Sequence, residues 1–482
     1  MSRFFTNVLK LISGTFIAQV IGILLIPILT RLYSPSDFGV FQLFLSISSI
    51  LVIFSCFSYQ LAILLPKEDE DAATIVALCC ILITIMSITS GSIFIIFSDQ
   101  IGKILNAPEI SHYIIFLPLV VFLNGIFVVR TYWLSRRKMF GLTAISQVIN
   151  SVSSKTVQIT LGINSPTPFG LIAGLLVGYI AALAILVQQI KYDLSLFREV
   201  TMKRMRNIAI RYKRFPIFTS GSTVANTVST QITPLFLVFF FDPKIVGYYA
   251  IANLVVFMPM GLIGSATSQV FFQKACDEKN RTGSVKNIVR QIQQRLISIG
   301  MLPMFILIII GTDLFSFVLG SQWYIAGEYA AILAPWILFV FIASPLSVIF
   351  SVLEKQTIDL TFNILILVSR ITVLVIGGLY GSPVTTLILF STTGVIFWGG
   401  MNLYLLKISG ISYRIGLIDY IKFFCLALVI AIPLLIVKIL IMPIYIILIV
   451  AGILSIVYYS IILFNDVKLK NELLGVLRGF KV

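Results

Sequence analysis

The chain predicts an all-α, polytopic membrane protein of about 14 transmembrane helices, arranged as two parallel-repeat six-helix bundles followed by two C-terminal helices. Three observations carry this. Apolar residues make up 59% of the 482 positions and charged ones only 11%, far below the roughly 25% charge of soluble domains. The apolar residues fall into runs of about twenty, the length that crosses about 30 Å of hydrocarbon. And the 35 Lys and Arg gather in every second gap between those runs.

The runs lie at 11–31, 38–65, 74–97, 113–134, 141–162, 168–190, 217–241, 245–271, 293–319, 328–353, 358–379, 384–406, 420–441 and 443–464. Only Met442 and Pro443 separate the last two. Membrane β-strands would be about ten residues long and alternating, so a β-barrel is excluded. No gap is long enough for a soluble domain. The first run exceeds the apolar core of a signal peptide and no small-residue cleavage site follows it, so it is expected to stay as an anchor.

Orientation follows from the basic residues. With the N-terminus in the cytoplasm, the inner segments hold 27 cations. Among them are Arg3, Lys10, Lys67, the Arg136-Arg137-Lys138 cluster and eight residues between Lys191 and Arg214. The outer gaps hold only Arg31, Lys103 and Lys244. Both termini are therefore expected to be cytoplasmic, in a multi-pass protein of the cell (inner) membrane. The net charge of +16 is topological by this reading, and a nucleic-acid partner is not expected. No metal or other cofactor is expected: the one histidine, His112, has no ligand set near it, and the five cysteines form no CxxC pair. The acidic run Glu68-Asp69-Glu70-Asp71 reads as a solvated inner loop.

The chain looks duplicated. Ser13, Gly14 and Pro27 of the first span match Ser220, Gly221 and Pro234 of the seventh; Pro35, Gly39 and Phe41 in the following turn match Pro243, Gly247 and Tyr249. Both spans run from inside to outside, so the repeat is parallel. Residues 1–190 then form an N-terminal six-helix lobe, 191–215 a basic amphipathic linker, 216–407 a C-terminal six-helix lobe, and 408–482 two extra helices with a tail. Pro27 and Pro234 remove backbone donors inside helices and are candidate gating points, although proline is common in membrane helices.

Charge at bilayer depth is costly and normally faces a bundle interior. Lys155 lies well inside span five, Arg370 near the middle of span eleven, and Arg130 close to the inner end of span four; no Asp or Glu lies comparably deep. Unpaired cations call for an anionic substrate group, unless they snorkel to the headgroups. Gln147, Asn150, Ser151, Ser154 and Gln158 recur at helical spacing beside Lys155, which makes one polar stripe along span five. Span seven carries Ser220, Thr223, Asn226, Thr227, Thr230 and Gln231. Gln19 is the one strongly polar residue in the middle of span one. Such stripes line a hydrated cavity or join helices.

Several segments resemble a known family. Leu29-Thr30-Arg31-Leu32-Tyr33-Ser34-Pro35-Ser36-Asp37-Phe38-Gly39 is similar to the first outer turn of Wzx-type oligosaccharide flippases, the polysaccharide-synthesis branch of the MOP superfamily. Leu61 to Lys67, Trp133 to Phe140, Tyr212 to Pro216 and Ile263 to Gln273 resemble further segments of that family. One departure stands out: Ser58-Tyr59-Gln60 occupies the place of an Arg-Tyr-Glu triplet found in many relatives. The resemblance implies a MATE-like, V-shaped pair of bundles alternating between inward- and outward-open states. It implies a polyprenyl-pyrophosphate-linked oligosaccharide as cargo, a cationic cavity for the pyrophosphate, and no enzymatic chemistry. O-antigen or lipopolysaccharide biosynthesis would be the setting, with a polysaccharide polymerase and chain-length machinery as candidate partners beside the lipid bilayer. On that basis Arg31, Arg130, Lys155 and Arg370 are expected to meet the pyrophosphate, and Gln19, Asn150, Gln158, Asn226 and Gln231 to line the sugar path. The rivals are a MATE-type multidrug or cation antiporter, which would need a deep carboxylate, and a membrane polymerase or glycosyltransferase, which would favour a large outer loop.

Overall fold

The computed structural model describes residues 16–187, 196–197 and 200–465, and within them all regular structure is helical. The helices, in order, are α1 (Phe16–Leu32), α2 (Pro35–Cys56), α3 (Asp69–Ile96), the short α4 (Ser98–Ile104), α5 (Ile110–Arg136), α6 (Phe140–Asn164), α7 (Pro168–Val187) and α8 (Met202–Arg211). They continue as α9 (Ser220–Phe240), α10 (Pro243–Thr282), α11 (Lys286–Leu319), α12 (Ser321–Val352), α13 (Gln356–Tyr380), α14 (Pro383–Ile408), α15 (Tyr413–Ile439) and α16 (Ile444–Asn465). Eleven helices are long and apolar enough to cross a membrane. Two shorter apolar helices, α1 and the Pro243–Phe257 part of α10, are also present. α6 has the length, but its polar stripe keeps it out of that set. Together these account for the apolar runs of the sequence. Arg3, Lys10, Ser13, Gly14, Lys191, Arg198 and the basic tail from Lys468 onward lie outside the described residues.

The boundaries differ from the runs where the backbone turns. α2 ends at Cys56, short of 65, because Phe57 and Ser58 adopt left-handed φ of 46° and 60°. A 3₁₀ turn, Tyr59–Leu64, then leads to α3. α1 is interrupted for one residue at Leu25, just before Pro27, whereas α9 carries Pro234 inside an unbroken helix. α10 and α11 run beyond their apolar stretches and meet at Gly283, whose φ of 71° suits glycine.

The chain divides into two compact units, Met1–Ala250 and Ile251–Val482. In the first unit α9, which the repeat assigns to the second bundle, packs on α2, and the Ser46 hydroxyl donates to Gln231 Oε1 at 2.9 Å. The two turns that match each other in sequence meet here. α2 starts with Ser34 and Asp37 in a capping box and Pro35 in the first turn; α10 starts with Pro243 after Asp242, whose carboxylate accepts the Ile245 N–H at 3.0 Å. A Cβ on Gly39 would overlap the Pro243 carbonyl, and one on Gly247 would overlap that of Pro35. The contact is reciprocal: each glycine of the repeat accepts the proline of the other copy.

On the opposite side of the first unit, Arg136 clamps the start of α3. Its Nε donates to Asp69 at 3.0 Å and its Nη1 to the Pro66 and Ile63 carbonyls at 2.7 and 3.2 Å. Arg137 donates to the other Asp69 oxygen at 2.8 Å. The acidic run is thus not merely solvated: Asp69 is tied into the basic cluster.

In the second unit Gly311 and Gly327 let α11 and α12 cross at backbone contact. The C-terminal pair is fixed to α11 by polar bonds at both ends. Asp419 is buried, accepts from Gln294 Nε2 at 2.9 Å and lies 3.5 Å from Arg290. Tyr459 donates to the Ile299 carbonyl at 2.9 Å, and Lys438 lies 3.1 Å from Asp313.

Candidate functional site

The polar stripe of α6 is divided between two tasks. One edge packs on α7, where Gly170, Gly174 and Gly178 recur every four residues and expose bare backbone. A Cβ on Gly178 would lie 2.9 Å from the Asn150 carbonyl, and one on Gly174 2.7 Å from that of Ser154. Gln158 sits in this seam, 2% exposed. Its Nε2 donates to the Leu171 carbonyl at 3.0 Å and its own carbonyl accepts from the Tyr33 hydroxyl at 2.6 Å. The Tyr33 ring is lodged against Gly162 and Gly170, so the C-terminal end of α1 is keyed into the α6–α7 hairpin. A second bond joins α1 to the stripe lower down: Ser151 donates to the Ala18 carbonyl at 2.9 Å.

The other edge of the stripe is more open. Gln147, Asn150 and Lys155 are half-buried. Lys155 Nζ donates to Gln158 Oε1 at 3.0 Å. That neutral amide is its hydrogen-bond partner among the described residues, and no carboxylate is paired with it there. A cation at mid-helix costs about 2.5–3.5 kcal/mol in a bilayer, and an uncharged amide returns only part of this. The ammonium keeps donors that an anion would satisfy.

The other candidates differ in how committed they are. Arg130 is 6% exposed, and its Nη2 donates to the Leu186 carbonyl at 2.7 Å. That carbonyl belongs to the last turn of α7, whose acceptors have no partner within the helix, so Arg130 acts there as a cap. Arg31 is exposed in the last turn of α1. Gln19 is half-buried, with its Oε1 buried and lacking a hydrogen bond among the described residues. Gln231 is engaged by Ser46, as noted. Asn226 is exposed, and Thr223 and Thr230 beside it are exposed as well. The α9 stripe is therefore open at Thr223, Asn226 and Thr230 but engaged at its two ends, where Ser220 bonds Ser58 and Gln231 bonds Ser46, whereas half of the α6 stripe is a helix joint.

In the second unit Arg370 is held on aromatic faces. Its guanidinium carbon lies 5.6 Å from the ring centroids of both Trp336 and Phe390. Those two rings meet edge-to-face at 4.9 Å. Gly394 on α14 leaves room for the Trp336 indole. Aromatic faces offset part of the cost of a cation.

Tyr33, Trp336, Phe390 and the glycines of α7 were not among the sequence candidates. The four-residue glycine spacing in α7 was a readable signal. The partners of Tyr33 and Arg370 were not, because they are distant in sequence. A surface groove of about 650 Å³ between α3 and α5, lined by Ser87, Gly91, Ile95 and Pro118 among others, contains none of the candidates.

Comparison with known proteins bears on the fold. A family model described as "Polysaccharide biosynthesis protein" matches residues 28–327. No curated protein sequence matches significantly. Among solved structures, a lipid II flippase MurJ in an inward closed conformation is similar, with a TM-score of 0.73 at 14% identity over 94% of this chain and 98% of that one. A MOP superfamily transporter from Pyrococcus furiosus gives 0.56 at 12% identity, over 84% of this chain and 95% of its own. The Vibrio cholerae MATE transporter VcmN, as a point mutant, gives 0.53 at 13% identity, over 84% and 96%. At these identities the likeness is one of fold.

Proposed function

The chain belongs to the polysaccharide biosynthesis protein family, and we propose that it works as a transporter and not an enzyme, a flippase carrying a polyprenyl-pyrophosphate-linked oligosaccharide from the cytoplasmic to the outer leaflet by alternating access. The observation that carries this reading is the Lys155 ammonium, set inside a membrane helix with an uncharged amide as its partner. A pyrophosphate supplies the negative charge that Lys155 lacks; Arg370, held on Trp336 and Phe390 in the second unit, is the other candidate cation. Arg31 attracts the anion at the outer end of α1. Arg130 contributes least, since it caps α7. The exposed Asn226 face of α9, with Gln19, Asn150 and Gln231, offers hydrogen bonds to sugar hydroxyls, while Gln158 positions Lys155. Pro27 and Pro234 serve as gating points. The two bundles are 1–190 and 216–407, joined by 191–215 and extended by 408–482.

The protein would sit in the inner membrane with both termini cytoplasmic and feed O-antigen-type or other surface polysaccharide synthesis, alongside a polymerase and chain-length machinery. The fold is shared with drug antiporters, and the sign of the charge inside α6 and α13 separates the readings: these helices offer cations at depth, and a cationic drug needs a carboxylate. The test is Lys155→Gln and Arg370→Gln in a strain lacking the native gene. Both variants should reach the membrane, lose surface polysaccharide and accumulate the lipid-linked oligosaccharide on the cytoplasmic face. Normal polymer in both would sink the charge argument.

A further inference from the structure

α8 differs from every other helix described. Between Val200 and Phe241 the sequence holds six cations, Lys203, Arg204, Arg206, Arg211, Lys213 and Arg214, and no acidic residue. The Thr201 hydroxyl caps the helix, accepting the Arg204 N–H at 3.2 Å. One face is bolted to the first unit. Ile208 is buried in a cluster with Val129 and Trp133, the Ala209 carbonyl accepts from the Tyr59 hydroxyl at 3.0 Å, and Arg211 lies 3.8 Å from Asp71. Tyr59 begins the turn after α2 and Asp71 lies in the first turn of α3, so α8 lies level with the end of the first unit where Arg136 and Arg137 meet Asp69.

The opposite face is open. Met202 is 74% exposed and Ile210 55%. Lys203, Arg206, Lys213 and Arg214 are exposed around them. Large apolar side chains among cations on one open helix face do not suit water. They suit a bilayer interface, where apolar groups enter the acyl boundary and ammonium and guanidinium groups reach phosphate oxygens. Each basic group near an anionic membrane surface adds to the attraction.

We infer that the open face of α8 binds anionic phospholipid headgroups of the adjacent leaflet. The bound lipid holds the helix flat and sets the start of α9, which follows through Tyr212–Arg214 and a π-helical turn at Phe215–Thr219. This goes beyond the transport reading and does not depend on it.

The test measures amide hydrogen exchange over Met202–Arg211 in the full-length protein, reconstituted in nanodiscs of phosphatidylcholine alone or mixed with phosphatidylglycerol. Exchange should slow by about tenfold or more in the anionic discs, and the gain should disappear at high salt, where surface charges are screened. The combined variant Lys203→Gln, Arg206→Gln, Lys213→Gln and Arg214→Gln should lose the difference. Equal exchange in both discs overturns the proposal and leaves the face to a protein partner. Slowing that survives high salt also overturns it. The salt series on the unaltered protein decides the matter even if the variant does not fold.

Discussion

Tyr33 is a small case of how this chain fixes a membrane helix. Its ring fills the gap over Gly162 and Gly170, and its hydroxyl donates to the Gln158 carbonyl. Tyr33→Phe keeps the ring and removes the bond, so it should cost about 1 kcal/mol. The hydroxyl lies in the outer turn, where burial, with the Asp37 carboxylate adding to it, pushes its pKa up to about 12. An unfolded tyrosine ionises near 10. The contribution to stability is therefore complete below pH about 10 and lost as pH rises towards about 12, because only the unfolded state releases its proton in that window. Thermal unfolding across that range should show a shallower alkaline decline for Tyr33→Phe than for the unaltered protein; identical slopes would contradict it. At this scale the sequence was half legible. The period of the stripe identified Lys155 and Gln158 as neighbours. It did not say which edge of the stripe faces α7, because that depends on helix rotation, set by glycines in another element. Arg130 looked like a ligand for an anion; a carbonyl on α7 was already there for it. Asp69 looked solvated because its arginines lie far along the chain.

Among helices, the seam between α6 and α7 sets the sharpest expectation. Gly174→Leu would drive a side chain into Gln158 and the Ser154 backbone. Overpacking of this kind costs about 1–3 kcal/mol. Gly221 on α9 has open space around its Cβ position, so Gly221→Ala should be neutral or stabilise by about 0.4–1 kcal/mol. Size-exclusion profiles of the two variants after graded heating check the contrast, and equal behaviour would discount the seam. The existence of each membrane helix was readable from apolar length alone, including the pair parted by Met442 and Pro443. The ends were less so. α2 stops at Cys56 because two successive residues turn left-handed, and neither Phe57 nor Ser58 is a residue type that announces this. α10 and α11 outrun their apolar stretches because a helix needs only propensity and a cap to continue into water.

For the molecule as a whole, the distribution of charge predicts the orientation. In a variant without the five native cysteines, Lys103→Cys and Lys244→Cys should react with an impermeant maleimide added to intact cells. Lys138→Cys and Lys286→Cys should react only after permeabilisation. The opposite pattern would invert the protein in the membrane and put α8 against the other leaflet. Hydropathy made the helical, membrane-spanning class legible because lipid imposes long apolar helices on the sequence directly. The association of α9 with the first compact unit was not legible, since packing between membrane helices depends on small residues and single bonds, such as Ser46 to Gln231, that apolar length does not record.

The crossing of Gly39 with Pro243, and of Gly247 with Pro35, ties the two look-alike turns into one object. Each is the mould in which the other is cast. A bulkier residue at either glycine must be answered by a change in the opposite turn, so a single substitution in one turn is in effect a change to both.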